Sequence, residues 1–398
     1  VRRRTIARPV TIEGAGLHEG RPAKLALLAA PAGAGIYFRR TDLPGSGPVP
    51  ALVTAREERP RRTALARGAV EVHTVEHLLA AVSGSGITDL EIAIDEVEVP
   101  GLDGSALPFL QAILAAGTRE LEGLAPRLVL DRTIEVEEKG ARIVAAPCPG
   151  RLAIEYILDY PDVRRSRIAL EVDETSFARE LAPARTFCLE REALALRAAG
   201  LGRGATSENT LVVGTDGLPL GNRLRFPDEY ARHKALDLFG DLALVGARLE
   251  ARVFAYRSGH ALNARLARRL RDLVEEAFHA APSPFRARAS GSVGGDRPLV
   301  PRGGGALEPA PIAFEGHFPN FPVLPGVVSL AAIAEAAGGR IVAIEGARFR
   351  RLVRPGDRLH VAVEGAEGGR VRGAVRIASG GVPAVAAEAS VEIAPEGP

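Results

Sequence analysis

Apolar and polar positions along this chain switch repeatedly between a two-residue and a roughly four-residue rhythm, the periods of strand and helix. Alternation predicts strands at Lys24–Ala29, Gly35–Arg39 and Leu90–Ile94. Helical periodicity starts at about Thr74, placed as the N-cap with Glu76 in the first turn, and recurs over Ala106–Ala116. The same order then repeats. Strands are expected at Arg127–Val136, Ile143–Ala146, Leu152–Leu158 and Glu250–Ala255, and helices at Pro227–Val245 and Ala261–Ala277. Two such halves predict an α+β class with two related α+β domains, 1–122 and 123–280, and an active site in the cleft between them. Residues 281–306, rich in Gly, Pro and Arg, read as a linker. Residues 307–398 form a third domain with a helix over Val327–Ala337 and strands at Leu359–Val363 and Arg370–Ile377.

Composition narrows the function classes. The chain has 398 residues, 46% hydrophobic and 25% charged, which is ordinary for a globular protein of two or three domains. A net charge of +2 gives no basic field for nucleic acid, so none is expected as a partner. Two cysteines make neither a disulfide framework nor a paired zinc motif. No stretch reaches the length of a bilayer span, and a cytoplasmic location is expected.

The chemistry concentrates in two helices. His233 and Asp237 are four apart and share a helix face, so they can grip one ion, and His77 can complete a set of three. Three protein ligands and one open position is the arrangement of a catalytic zinc. Read alone, the stripe of His233, Asp237 and Asp241 is equally a solvated polar face or a core histidine held by a carboxylate. HTVEHLLAAVSG is equally just a well-capped helix. SGHALN (258–263) tips the balance by placing His260 in a Gly-flanked loop entering a helix. Glu76, beside His77, is the candidate general base. His260, kept protonated by Asp241, is the candidate acid, and Thr186 and Lys234 are candidates for stabilising an oxyanion. Lys234, next to His233, is expected to point to a different side of its helix. Cys188 reads as a small buried hydrophobe, and His18 as a turn or substrate-wall residue.

Seven segments, GAGLHEG (14–20), IYFRRTDL (36–43), TVEHLLAA (74–81), LDGSALPFL (102–110), ARTF (184–187), RFPDEYARHKALDLFGDLAL (225–244) and SGHALN, appear in order over about 1–280. Together they resemble the zinc-dependent UDP-3-O-acyl-N-acetylglucosamine deacetylases of lipid A synthesis. The resemblance implies Zn2+ on His77, His233 and Asp237, Glu76 as base, His260 as acid and Asp241 as its partner. Thr186 and Lys234 match oxyanion and substrate contacts, and Phe187 a substrate-contacting aromatic. It also implies an acyl-chain passage built by an insert within about Leu189–Leu224. EGHFPNFPVLPGVVSLAAIAEAAG (315–338) resembles the hot-dog-fold 3-hydroxyacyl-acyl-carrier-protein dehydratases. That implies a long helix wrapped by an antiparallel sheet, His317 as the reactive histidine, acyl-carrier-protein as a partner and a homo-oligomer through this domain. The family's acid position holds Ala331, and Glu335 lies a helical turn further on. Three readings follow: a non-catalytic dimerising or structural domain, a rearranged dehydratase that makes the protein bifunctional, and an acyl-carrier-protein or acyl-chain binder.

Overall fold

The computed structural model describes residues 1–161, 163–280, 305–307, 333, 339–349, 358–365, 370–378 and 384–395. His317, Ala331, Glu335, most of the expected Val327–Ala337 helix and nearly all of the 281–306 linker lie outside the described residues. The chain divides into two compact units, Val1–His279 and Ala280–Pro398.

The larger unit contains the same topology twice. In its first half the strand order is Val10–Ala15, Pro22–Ala29, Leu90–Ile94, Ile36–Arg40, Val49–Pro50. In its second half the order is Ile134–Glu138, Ala141–Pro147, Arg248–Tyr256, Leu152–Leu158, Ser166–Val172, with Arg127–Val129 added beside Arg248–Tyr256. Each sheet opens with an antiparallel hairpin and has a corresponding parallel pair at its centre: Phe38 opposite Ile92 in the first, Ile154 opposite Val253 in the second, where Arg127–Val129 adds a further parallel pairing. Parallel neighbours require a crossover, and in both halves a helix supplies it. These helices, Glu76–Gly84 and Glu229–Ala243, carry the candidate metal ligands from equivalent places in the repeat. A second helix follows each central strand, at Leu107–Ala116 and His260–Ala280.

The two crossover helices are buried almost all round, so both read as core. They meet closely enough that a Cβ on Gly240 would stand 2.1 Å from the Glu76 carbonyl oxygen. Glycine at 240 is therefore what lets the second helix cross the first at the base of the site. Around this centre lie Leu78, Leu79, Leu236, Leu238 and Val253, all 0–1% exposed.

Several elements differ from the sequence expectation. The strand expected over Arg127–Val136 is two strands, because the chain leaves one sheet position after Val129 and re-enters at Ile134. Arg2–Ile6, not predicted as a strand, pairs antiparallel with Thr118–Leu124. A three-stranded sheet, Arg56–Arg59, Arg62–Arg67 and Val70–His73, lies outside the sequence expectation, because REER and RTALAR lack clean alternation and VEVH alternates over only four residues. Thr74 does not cap its helix. Its backbone is left-handed (φ 58°), the N-cap is Val75, and the Thr74 hydroxyl donates instead to the buried carboxylate of Glu98 at 2.8 Å. A β-branched residue in that conformation is strained by about 1–3 kcal/mol.

The expected insert exists: Phe187–Leu189 pairs in parallel with Leu211–Val213, and the helix Glu190–Ala198 lies between them.

In the smaller unit, five strands form one antiparallel sheet in the order Gly305–Leu307, Arg358–Gly365, Arg370–Ala378, Ala384–Pro395, Gly339–Phe349. Ile333 is helical, fully buried and packed over Gly373, where a Cβ would stand 2.3 Å from its side chain. A helix residue seated on an antiparallel sheet is the arrangement expected of a hot-dog domain. Among the described residues, no helix is long and apolar enough to cross a membrane.

Candidate metal centre and active site

Glu229–Ala243 begins after Pro227, and its four-residue spacing brings His233 and Asp237 together. The stripe that could have been a solvated face is buried: His233, Asp237 and Asp241 are 2%, 3% and 1% exposed. His77, on the other crossover helix, points its Nε2 to within 3.4 Å of Asp237 Oδ1, and His233 Nε2 lies 3.3 Å from the same oxygen. The three donor atoms lie within 4.8 Å of one another. Around a tetrahedral zinc with bonds of about 2.0–2.2 Å, neighbouring ligand atoms stand roughly 3.3–3.5 Å apart. Asp237 Oδ1, buried between both imidazoles, has no hydrogen-bond donor among the described residues. An orphaned carboxylate oxygen facing two imidazole nitrogens is what a cation would satisfy. The residues therefore fit zinc. His233 Nδ1 donates to the Ala184 carbonyl at 3.1 Å, which leaves Nε2 as the metal-facing lone pair. Burial holds this imidazole neutral, lowering its pKa to about 3.

Glu76 and His260 flank this centre. The Glu76 carboxyl is 3% exposed, and burial raises its pKa from the ordinary value. One oxygen accepts from the Thr63 backbone N–H at 3.1 Å. His260 donates Nδ1–H to Asp241 Oδ2 at 2.9 Å and turns Nε2 towards Glu76 and Asp237, 3.9 and 3.8 Å away. Burial opposes protonation of His260, but Asp241, then Asp237 and Glu76, outweigh it and lift its pKa to about 9. Asp241 is held in turn by Asn263 Nδ2 at 2.8 Å and by the Thr63 hydroxyl at 2.5 Å.

Lys234, expected near the metal but on a different side of the helix from His233, curls its ammonium one turn along the helix to Asp237 Oδ2 at 2.7 Å. Burial would lower its pKa, yet Asp237 chiefly, with Tyr160 and Tyr156, keeps it charged. Thr186 enters the site from the loop before Phe187, where its N–H donates to the Gly104 carbonyl at 2.8 Å. Gly104 has a left-handed φ of 80°, and any side chain there would strike the Asn209 carbonyl. Phe187 packs at a tilt of 48° against Tyr230 (centroids 4.9 Å) and meets the His233 ring edge-on at 6.2 Å.

The three metal-ligand candidates, with Glu76, His260, Lys234, Thr186 and Phe187, line a cavity of about 980 Å³ walled by both halves of the unit. The insert extends the wall with the apolar side chains of Ala193, Leu196, Leu201 and Val212. His18 lines the cavity, in keeping with a wall role. Cys188 also lines it and is only partly covered, so it is not the fully buried hydrophobe expected, and burial raises its thiol pKa.

Sequence reasoning missed Thr63, which ties Glu76 to Asp241, and Glu229, which grips Arg185. The clue to Glu229 was its place one turn before His233; nothing local marked Thr63.

A family model described as LpxC: UDP-3-O-acyl N-acetylglycosamine deacetylase matches residues 3–272. A second, described as ApeI-like: ApeI dehydratase, matches residues 305–380. The UDP-3-O-acyl-N-acetylglucosamine deacetylase of Anaeromyxobacter sp. (strain Fw109-5) is 40% identical over 269 residues, 67% of this chain and 88% of that protein. The Myxococcus xanthus protein of the same name is 38% identical, covering 67% and 85% of the two chains. A protein of Chlorobaculum tepidum named bifunctional enzyme LpxC/FabZ is 31% identical over 425 residues, 90% of this chain and 91% of its own. With most of each relative's length covered and the three metal-ligand candidates present and converging, one assignment follows: this chain belongs to the UDP-3-O-acyl-N-acetylglucosamine deacetylase family.

Proposed function

We propose that Glu76 and His260 divide the proton transfers of the deacetylation between them. The activity is zinc-dependent removal of the N-acetyl group of UDP-3-O-acyl-N-acetylglucosamine, in lipid A biosynthesis. The observation that carries it is the spacing of His77 Nε2, His233 Nε2 and Asp237 Oδ1 around one point. Zinc, when bound there, supplies a Lewis acid that acidifies water and polarises a carbonyl. Glu76, its carboxyl raised by burial, takes the proton of the attacking water. Water oxygen bonds to the acetyl carbon, and the Thr186 hydroxyl and Lys234 ammonium stabilise the oxyanion. His260, charged through Asp241, gives its Nε2 proton to the glucosamine nitrogen as the C–N bond breaks, releasing acetate and the free amine. Phe187 supports the sugar, and the apolar side chains of the insert receive the acyl chain.

The test is acetate release by the purified full chain. A chelator should abolish it and added zinc restore it. Glu76→Ala should lower kcat by about 10²–10⁴-fold with zinc content unchanged. Full activity in that variant would remove Glu76 from its role.

A bifunctional reading is supported by the Chlorobaculum tepidum relative, which this chain matches over 90% of its length, and by the dehydratase-family match over 305–380. In that reading 307–398 is the dehydratase domain, joined by 281–306 to the deacetylase halves 1–122 and 123–280. His317 carries the chemistry, acyl-carrier-protein delivers the substrate, and the domain pairs with a second copy. Ala331 at the acid position favours a rearranged or reduced activity. The cytoplasm is the location that suits a nucleotide-sugar substrate.

A further inference from the structure

Arg185 stands between two residues of the site and lines neither the metal nor the cavity. It is 5% exposed and its partner Glu229 is 0% exposed. Arg185 Nε donates to Glu229 Oε1 at 2.9 Å and Nη2 to Oε2 at 3.2 Å, a two-pronged pairing. The backbone N–H groups of Arg185 and Arg225 donate to the same carboxylate, at 3.1 and 2.5 Å. The rest of the guanidinium is spent on the Arg223 carbonyl at 2.6 Å and Asn222 Oδ1 at 3.2 Å. Glu229 opens the helix that carries His233 one turn on, so this network clamps the segment 184–186 to the start of the metal helix. On one side of the clamp the Ala184 carbonyl receives His233 Nδ1–H; on the other is Thr186.

We propose that the Arg185–Glu229 pair is a positioning device for the zinc site: it holds the Ala184 carbonyl where it fixes the tautomer and tilt of His233, and it aims Thr186 at the reacting carbonyl. The proposal rests on the reading of His77, His233 and Asp237 as a zinc centre. A pair that served the fold alone would affect stability. A pair that orients a ligand also changes how tightly the metal is held, because the groups behind a ligating imidazole set its orientation and basicity.

Glu229→Gln keeps the shape of the side chain and removes its charge. Asn222→Ala acts at the outer end of the network: it removes the oxygen that accepts from Arg185 Nη1 and the Arg223 N–H, and the amide that donates to the Ser207 carbonyl. Zinc affinity of each full-length protein is measured by competition with a chromophoric chelator, at a temperature where circular dichroism shows the metal-free protein folded. Glu229→Gln should bind zinc about tenfold or more weakly, and Asn222→Ala about threefold, since it frees one guanidinium nitrogen and loosens the segment around Arg223 that holds another. At saturating zinc, Glu229→Gln should also lose kcat. A lowered melting temperature with zinc affinity within twofold of the wild type would overturn the proposal and leave a purely structural pair. If Glu229→Gln fails to fold, Asn222→Ala decides, and unchanged zinc affinity in it overturns the proposal. A wild type that holds zinc but releases no acetate would refute the deacetylase reading while leaving this result intact.

Discussion

Glu76 illustrates how much a single side chain in this site depends on groups far from it in sequence. Its carboxyl is raised by burial, yet one oxygen is steadied by the Thr63 N–H, and the Thr63 hydroxyl reaches on to Asp241 behind His260. Base and acid are thus coupled through a residue of the unpredicted three-stranded sheet. His18 shows the converse, a cavity-wall residue with a cost attached. Burial, then Arg62, lowers its pKa from 6.5 to about 4, so the folded protein refuses a proton that the unfolded chain accepts between those values. Its contribution is fully present above pH 6.5 and is lost as pH falls towards 4, at most about 3 kcal/mol. His18→Asn should flatten the decline in melting temperature over that window relative to the wild type. Equal slopes for the two proteins would show that His18 is not the group responsible.

At the scale of elements, the two crossover helices decide the site. Gly240 is where one backbone passes over the other at Glu76. Gly240→Ala should force them apart, costing about 1–3 kcal/mol of stability. It should also lower kcat by about 10²-fold, because an ångström of displacement between base and substrate is enough. Thermal denaturation and steady-state rates check this; a variant with both unchanged would show that the crossing has slack. The helices were legible in the sequence because their apolar positions recur over several turns. Arg56–His73 was not, since its strands lack sustained alternation and their burial comes from tertiary neighbours. The Thr74 cap failed for a related reason: a long-range carboxylate, Glu98, took the hydroxyl that local rules assign to the helix end.

The whole molecule joins a duplicated α+β unit to a second unit with an antiparallel sheet. In the bifunctional reading the two chemistries use separate residues. His317→Ala should abolish turnover of a 3-hydroxyacyl thioester and leave acetate release unchanged, and Glu76→Ala should do the reverse. Both assays on one preparation check it, and dehydration that survives His317→Ala would remove that residue from the reaction.

The residue types, the i,i+4 placement of His233 and Asp237, and the repeated order of elements were all fixed by the sequence alone, because helix geometry relates near neighbours without reference to the rest of the chain. Only the tertiary structure decided that His77 reaches the same point and that the polar stripe is buried. It alone also decided that Thr63, Ala184 and the Arg185–Glu229 pair stand behind the reacting groups. Those contacts join segments distant along the chain, and their distances follow from how two sheets and two crossing helices pack, which no local spacing encodes.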